Sequence, residues 1–235
     1  MIKTLATLLL FFSIVTGWTQ TRYESWTRLN FNYWGNKKTG IGLELHHRRQ
    51  SNYWVTEKNI FDEPMLTIIR PWLYRKIGKG WMLSTSPLSF HAYRDILNQS
   101  GITRDYIELR STYGIQRNLK LKGITNRNRA WYEFRFSDIS GPNIIFQTRL
   151  RIQNTFLLPI KKISTNFSIN YNVTNEFFIN QRKEIIAFDH NRFFNGLQLK
   201  KQNYEINLGY QWSRHNSSSS PYSRHQVFLN TSIDL

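Results

Sequence analysis

From residue 144 to residue 153 the chain reads in twos. Ile144, Phe146, Thr148, Leu150 and Ile152 share one face, and Gln147, Arg149, Arg151 and Gln153 share the other. Successive strand side chains point to opposite sides, so this spacing predicts a β-strand with one apolar and one polar wall. After Pro159-Ile160-Lys161-Lys162 the alternation resumes. Phe167, Ile169, Tyr171 and Val173 then oppose Ser168, Asn170, Asn172, Thr174 and Glu176. The two runs predict a hairpin. A loop at Ile160-Lys161 sets Arg151 opposite Asn170 and Arg149 opposite Asn172, all on the polar wall.

The same pattern recurs along the chain. Leu29, Phe31 and Tyr33 mark one wall of a first strand; Ile41, Leu43 and Leu45 oppose Glu44, His46 and Arg48 in a second. Further strands are predicted over 65–75, 81–93, 104–116, 127–136, 190–199, 204–212 and 226–235, with loops over 50–63, 94–103, 179–189 and 216–223. The faces of 65–75 and 81–93 stay unassigned, because Pro71 and Pro87 interrupt them. A loop at Asn118-Leu119 pairs Glu108 with Arg129 and Arg104 with Glu133, opposite charges on the polar wall. Tight turns recur near residues 37, 78, 119, 160 and 202 without repeated sequence.

The runs exceed the about 5–6 residues usual in soluble strands and suit the about 9–11 needed for a tilted membrane strand. The expected fold is all-β, an antiparallel transmembrane β-barrel with short periplasmic turns and longer outer loops. Eleven segments are countable, yet single-chain bacterial barrels carry even numbers, so the expectation is about 10–12 strands with one segment misread or outside the wall. A soluble β-sandwich or large lipocalin-like barrel is the alternative.

The first residues shift that balance. Met1-Ile2-Lys3 is a basic head, residues 5–15 are apolar, and Gly17-Trp18-Thr19 offers small residues for a cut before Gln20. This reads as a secretory leader over 1–19, followed by a single barrel domain over 20–235. Later apolar runs fall short of the about 20 residues of a membrane helix. The chain holds no cysteine, which removes disulfides, thiolate metal sites and cysteine nucleophiles. Aromatics are 15% of residues, as interfacial girdles of a barrel require.

The order of several short motifs resembles a known family. Leu43-Glu44-Leu45-His46-His47-Arg48, Arg70-Pro71-Trp72, Glu133-Phe134-Arg135, Arg149-Leu150-Arg151, Asn175-Glu176-Phe177-Phe178 and Phe188-Asp189-His190-Asn191-Arg192 are similar to those of the exported barrel proteins called domain of unknown function 2490, frequent in Bacteroidetes. The resemblance spans nearly the whole mature chain. It implies a location in the outer membrane of a Gram-negative cell, and no activity.

Net charge is +17, or +16 once the leader with Lys3 is gone. Such a balance fits a cationic lumen that binds or passes anions, and equally basic turns and loops against lipopolysaccharide. Nucleic acid is not an expected partner, since the cations are spread over every strand and the leader exports the chain. Expected partners are outer-membrane lipid, lipopolysaccharide and a small anionic ligand; the oligomeric state is left open. No serine sits in a nucleophile motif, and adjacent His46 and His47 point to opposite faces. The sequence therefore names no catalytic residue, cofactor or metal site. A lipid-modifying hydrolase and a small anion channel remain alternatives to a structural or ligand-binding barrel. The candidate site is the inward charged set Arg48, Glu133, Arg135, Arg149, Arg151, Glu176 and Arg192. A barrel this small is expected to have a largely filled lumen.

Overall fold

A computed structural model of the chain describes residues 20–36, 38–52, 58–97, 101–138, 143–216 and 222–235. The leader read over 1–19 lies outside the described residues. Eleven strands follow in order: β1 (Gln20–Tyr33), β2 (Thr39–Gln50), β3 (Glu63–Gly78), β4 (Trp81–Ile96), β5 (Thr103–Leu121), β6 (Ile124–Ser137), β7 (Ile145–Ser164), β8 (Phe167–Arg182), β9 (Ile185–Lys201), β10 (Tyr204–His215) and β11 (Tyr222–Asp234). Each pairs antiparallel with its neighbour in sequence, and β1 closes on β11.

All eleven segments are strands of the wall, so none is misread or left outside. The odd number is accommodated because β1 and β11 run parallel, from Gln20↔Tyr222 to Asn32↔Asp234. With an odd count, first and last strands must point the same way; mitochondrial barrels break the even rule likewise. Asn30 Nδ2 donates to Asn230 Oδ1 at 2.7 Å and Asn32 Nδ2 to Asp234 Oδ1 at 3.0 Å across this seam.

The predicted faces are those observed, but two hairpin registers are corrected. The β5–β6 turn is Lys122-Gly123, where φ is +46° and +87°, and Thr112 rather than Arg104 faces Glu133. The positive φ at both central residues matches the strand twist of a tight hairpin. The β7–β8 turn is at residues 165–166, so Arg151 faces Phe178 and Arg149 faces Asn180. The register slips beside Pro159, which has no N–H for the ladder. A third correction concerns residues 179–189. They are strand, joined by a tight turn with Lys183 at φ +54°, and Ile185 and Ile186 stand 73% and 69% exposed on the projecting hairpin.

Both unassigned segments now have a reason. In β3 apolar side chains occupy both walls: Ile68 and Trp72 are buried while Ile69 and Leu73 are exposed. The β4–β5 ladder skips between Ser86 and Ser89 and the β3–β4 ladder between Ile69 and Leu73, around Pro87 and Pro71. This bulge changes which parity points inward, so Ser86 and Ser89 are both buried.

The outer wall carries Leu43, Ile69, Leu83, Tyr113, Phe146, Ile152, Phe177, Leu208 and Val227, each well exposed and spread round the circumference. Outward asparagines satisfy one another: Asn154 Nδ2 donates to Asn128 Oδ1 at 2.5 Å and Asn191 Nδ2 to Asn175 Oδ1 at 2.7 Å. Buried residues, by contrast, are mostly polar. The protein is thus inverted relative to a water-soluble core.

Candidate functional site: the arginine-rich interior

The strand ends nearest the tight turns at 79–80, 122–123, 165–166 and 202–203 are here the turn end; the opposite end is the loop end. Inward positions of the loop-end half form a continuous chain of alternating charge. Arg135 donates to Glu108 at 2.7 Å, Glu108 also holds Arg110, and Arg110 reaches Glu133 at 3.4 Å. Glu133 accepts from Arg151 at 2.8 Å, Arg151 donates to Glu176 at 2.7 Å, and Glu176 accepts from Arg192 at 3.2 Å. Glu133 is fully buried, Glu108 nearly so. Buried carboxylates persist as ions only when guanidiniums and hydrogen bonds replace water, and this chain supplies both.

Five of the seven predicted residues, Glu133, Arg135, Arg151, Glu176 and Arg192, meet in that chain. Arg149 lies apart: Nη2 donates to Asp189 at 3.0 Å and Nε to Asn180 at 2.7 Å. Arg48 lies on the opposite wall. Its guanidinium sits 3.6 Å from the Trp26 ring centroid and its Nε donates to His46 Nε2 at 3.1 Å. The register correction also reassigns partners. Glu108 meets Arg110 and Arg135 instead of Arg129, and Arg104 binds Asp138 at 2.5 Å.

The sequence reading did not select several residues that complete the interior. Glu108 and Arg110 were visible on the polar face. Arg70, with Arg28, flanks Glu44 at 3.8 and 3.9 Å, but the unresolved faces of β3 hid it. Asp189 was hidden by a bulge: Phe178 pairs with His190 and Ile179 with Phe188, so Asp189 is skipped and turns inward beside His190.

Asp189, His190 and His215 place one ligand atom each within 4.8 Å of one another. The two imidazoles stack with centroids 4.2 Å apart and planes 22° from parallel, and Phe178 and Tyr222 extend the stack on either side. Ring lone pairs lie in the ring plane, so stacked donors run side by side instead of converging on an ion. Arg149 also occupies the Asp189 carboxylate. The group fits a rigid polar wall better than a cation site.

A cavity of about 210 Å³ lies between these walls, lined among the described residues by nine arginines and three acidic residues, Glu44, Asp95 and Asp189. Farther along, rings fill the section. Phe194 lies where Gly196 and Gly209, which pair directly, carry no side chain; a Cβ on either would lie 2.8–2.9 Å from its ring. Trp131 likewise occupies the space over Gly114.

No curated protein and no solved structure matches the chain. A family model matches residues 23–224, most of the barrel, and the chain belongs to that family, described as protein of unknown function DUF2490.

Proposed function

We propose that the protein is an outer-membrane β-barrel of a Gram-negative cell, exported behind the leader at 1–19, whose interior serves structure and ligand binding in preference to free conduction. The observation that carries this is the inversion of the wall. Apolar side chains ring the outside of a closed barrel, while carboxylates and guanidiniums pair inside. An apolar band of that extent needs a nonaqueous neighbour, and only closed barrels satisfy every strand edge in lipid. The asparagine pairs on the outer wall meet the same demand locally.

The filled section at Phe194 and Trp131 favours a closed lumen over an open pore. The cationic cavity favours, as a second reading, a narrow anion path. The hydrolase alternative draws less support. Ser89 lies 3.0 Å from His91 and Ser213 3.0 Å from His215, but both pairs sit on the inner wall, away from lipid.

Fractionation with reconstitution tests the reading. The protein is expected in the outer membrane, resistant to alkaline extraction, and nearly silent in planar bilayers. Recovery from the soluble periplasm removes the membrane assignment; large anion-selective steps replace the closed barrel with the channel.

A further inference from the structure

Three guanidiniums crowd one indole. Arg48, Arg192 and Arg28 lie 3.6, 4.9 and 5.1 Å from the Trp26 ring centroid. Like charges this close need compensation. Arg28 has Glu44 at 3.9 Å and Arg192 has Glu176 at 3.2 Å. Arg48 has no carboxylate within ion-pair distance among the described residues; its nearest partners are a neutral ring face and His46.

The same place holds buried donors without acceptors. Trp26 is 2% exposed and, among the described residues, its Nε1–H meets no partner; neither does Arg192 Nε. His46, 3% exposed, stacks on Trp26 with centroids 4.6 Å apart. Because its Nε2 accepts from Arg48, its neutral ring carries the hydrogen on Nδ1, which also lacks a partner. These three unmet groups are all donors, and a buried donor left unmet costs about 1–3 kcal/mol. Trp26, His46, Arg48 and Arg192 all line the 210 Å³ cavity.

We propose that this cavity is a binding site for a small phosphate-bearing anion, with Arg48 and Arg192 as its charged clamp and the Trp26 N–H as a third donor. The proposal rests on the binding-barrel reading above and names its ligand class. The donors arrive from three strands, β1, β2 and β9, hence from different directions. A tetrahedral phosphate presents three acceptor oxygens and about −1.5 to −2 charges, whereas a planar carboxylate meets one fork. The cavity equals the liquid share of about seven waters, room for a phosphate and a small organic substituent.

The test is calorimetric titration of the purified, folded full-length protein with inorganic phosphate and with methyl phosphate. Saturable binding is expected, weakened by added chloride. Arg48→Met should weaken it about tenfold or more, and Trp26→Phe, which keeps a ring but removes the donor, about threefold or more. Lys76→Met, whose ammonium lies over Trp34 toward the turn end, should bind as the parent does. Circular dichroism and heat-shifted gel mobility of the parent test the barrel reading by themselves, and the same measurements on each variant show that a weakened titration reports the site and not a lost fold. Absence of saturable binding by a folded barrel overturns the proposal, as does unchanged binding by Arg48→Met. A second arm repeats the titration in bicelles with and without phosphate-bearing lipid A. Competition identifies a lipid headgroup as the source of the phosphate, and its absence a soluble one.

Discussion

The two halves of the interior solve burial in different ways. Toward the loop end, many inward positions of β5 to β9 carry formal charges, and each buried carboxylate there holds at least one arginine. Toward the turn end, charges such as Arg129 and Glu205 pair with amides, Gln116 and Asn207, and many of the remaining amides and hydroxyls bind one another. Asn172 donates to Asn207 at 2.9 Å, Thr174 to Asn172 at 3.0 Å and Asn170 to Gln198 at 3.0 Å. Charges are tolerable where water can enter from the loops, whereas toward the turns amides and hydroxyls complete one another's bonds. The loop-end half is therefore held by ion pairs between side chains, and the turn-end half mainly by amide and hydroxyl hydrogen bonds.

The largest expected effect comes from breaking the charged half. Glu133 lies between Arg110 and Arg151 and is fully buried. Glu133→Gln leaves two guanidiniums short of a counter-charge, at a cost of about 3–5 kcal/mol, softened by whatever water reaches the lumen. Thermal unfolding followed by gel mobility should show a large drop; an unchanged midpoint would mean the network is not coupled to stability.

Next is the wall itself. Leu150 points outward between Tyr132 and Ile179, its ladder partners. Leu150→Arg should cost about 2–4 kcal/mol if this surface lies near the bilayer midplane, and much less in a water-exposed wall. Equal stability of the variant and parent in lipid would return the soluble-barrel alternative.

These faces were legible in the sequence, and the registers were not, for a physical reason. Alternation has a period of two, so any even displacement of one strand along another preserves every inside and outside assignment. Placing the turns at Asn118-Leu119 and Ile160-Lys161 therefore kept Arg149 and Arg151 on the correct wall while giving them wrong neighbours. The Lys122-Gly123 turn carried a readable glycine signal that the charge pairing of Glu108 with Arg129 outweighed. The turn after Ser164 carries no glycine and follows two irregularities beside Pro159, so local chemistry gave little to find. Bulges hid the remainder. Asp189 and Ser89 sit where an added residue reverses parity, and no periodic reading reaches them.

A moderate effect should follow from crowding the section between the two halves. A Cβ on Gly196 would lie 2.3 Å from the Leu208 carbonyl oxygen, which belongs to the backbone and cannot swing away. Gly196→Val should cost about 1–3 kcal/mol through overpacking. Gly123→Ala, at φ +87° in the open β5–β6 turn, strains only the turn. A loss confined to Gly123 would place the tight section somewhere other than Phe194.

The smallest effect separates the two halves most cleanly. Asn172→Ala removes the donor to Asn207 and the acceptor for Thr174, both toward the turn end. A neutral hydrogen bond contributes about 0.5–1.5 kcal/mol net, and Asn207 keeps its own bond to Glu205 at 3.0 Å. A loss near the lower end of that range is expected. Ionic strength supplies the contrast. Salt screens charges that water can reach, so the stability lost in Glu133→Gln should vary with added chloride as anions enter the mouth and offset the bare guanidiniums. The loss in Asn172→Ala should stay constant over the same range, because no charge changes there. If both losses moved together with salt, the base of the barrel would be as open to ions as its mouth, and the closed interior would have to give way to a continuous anion path.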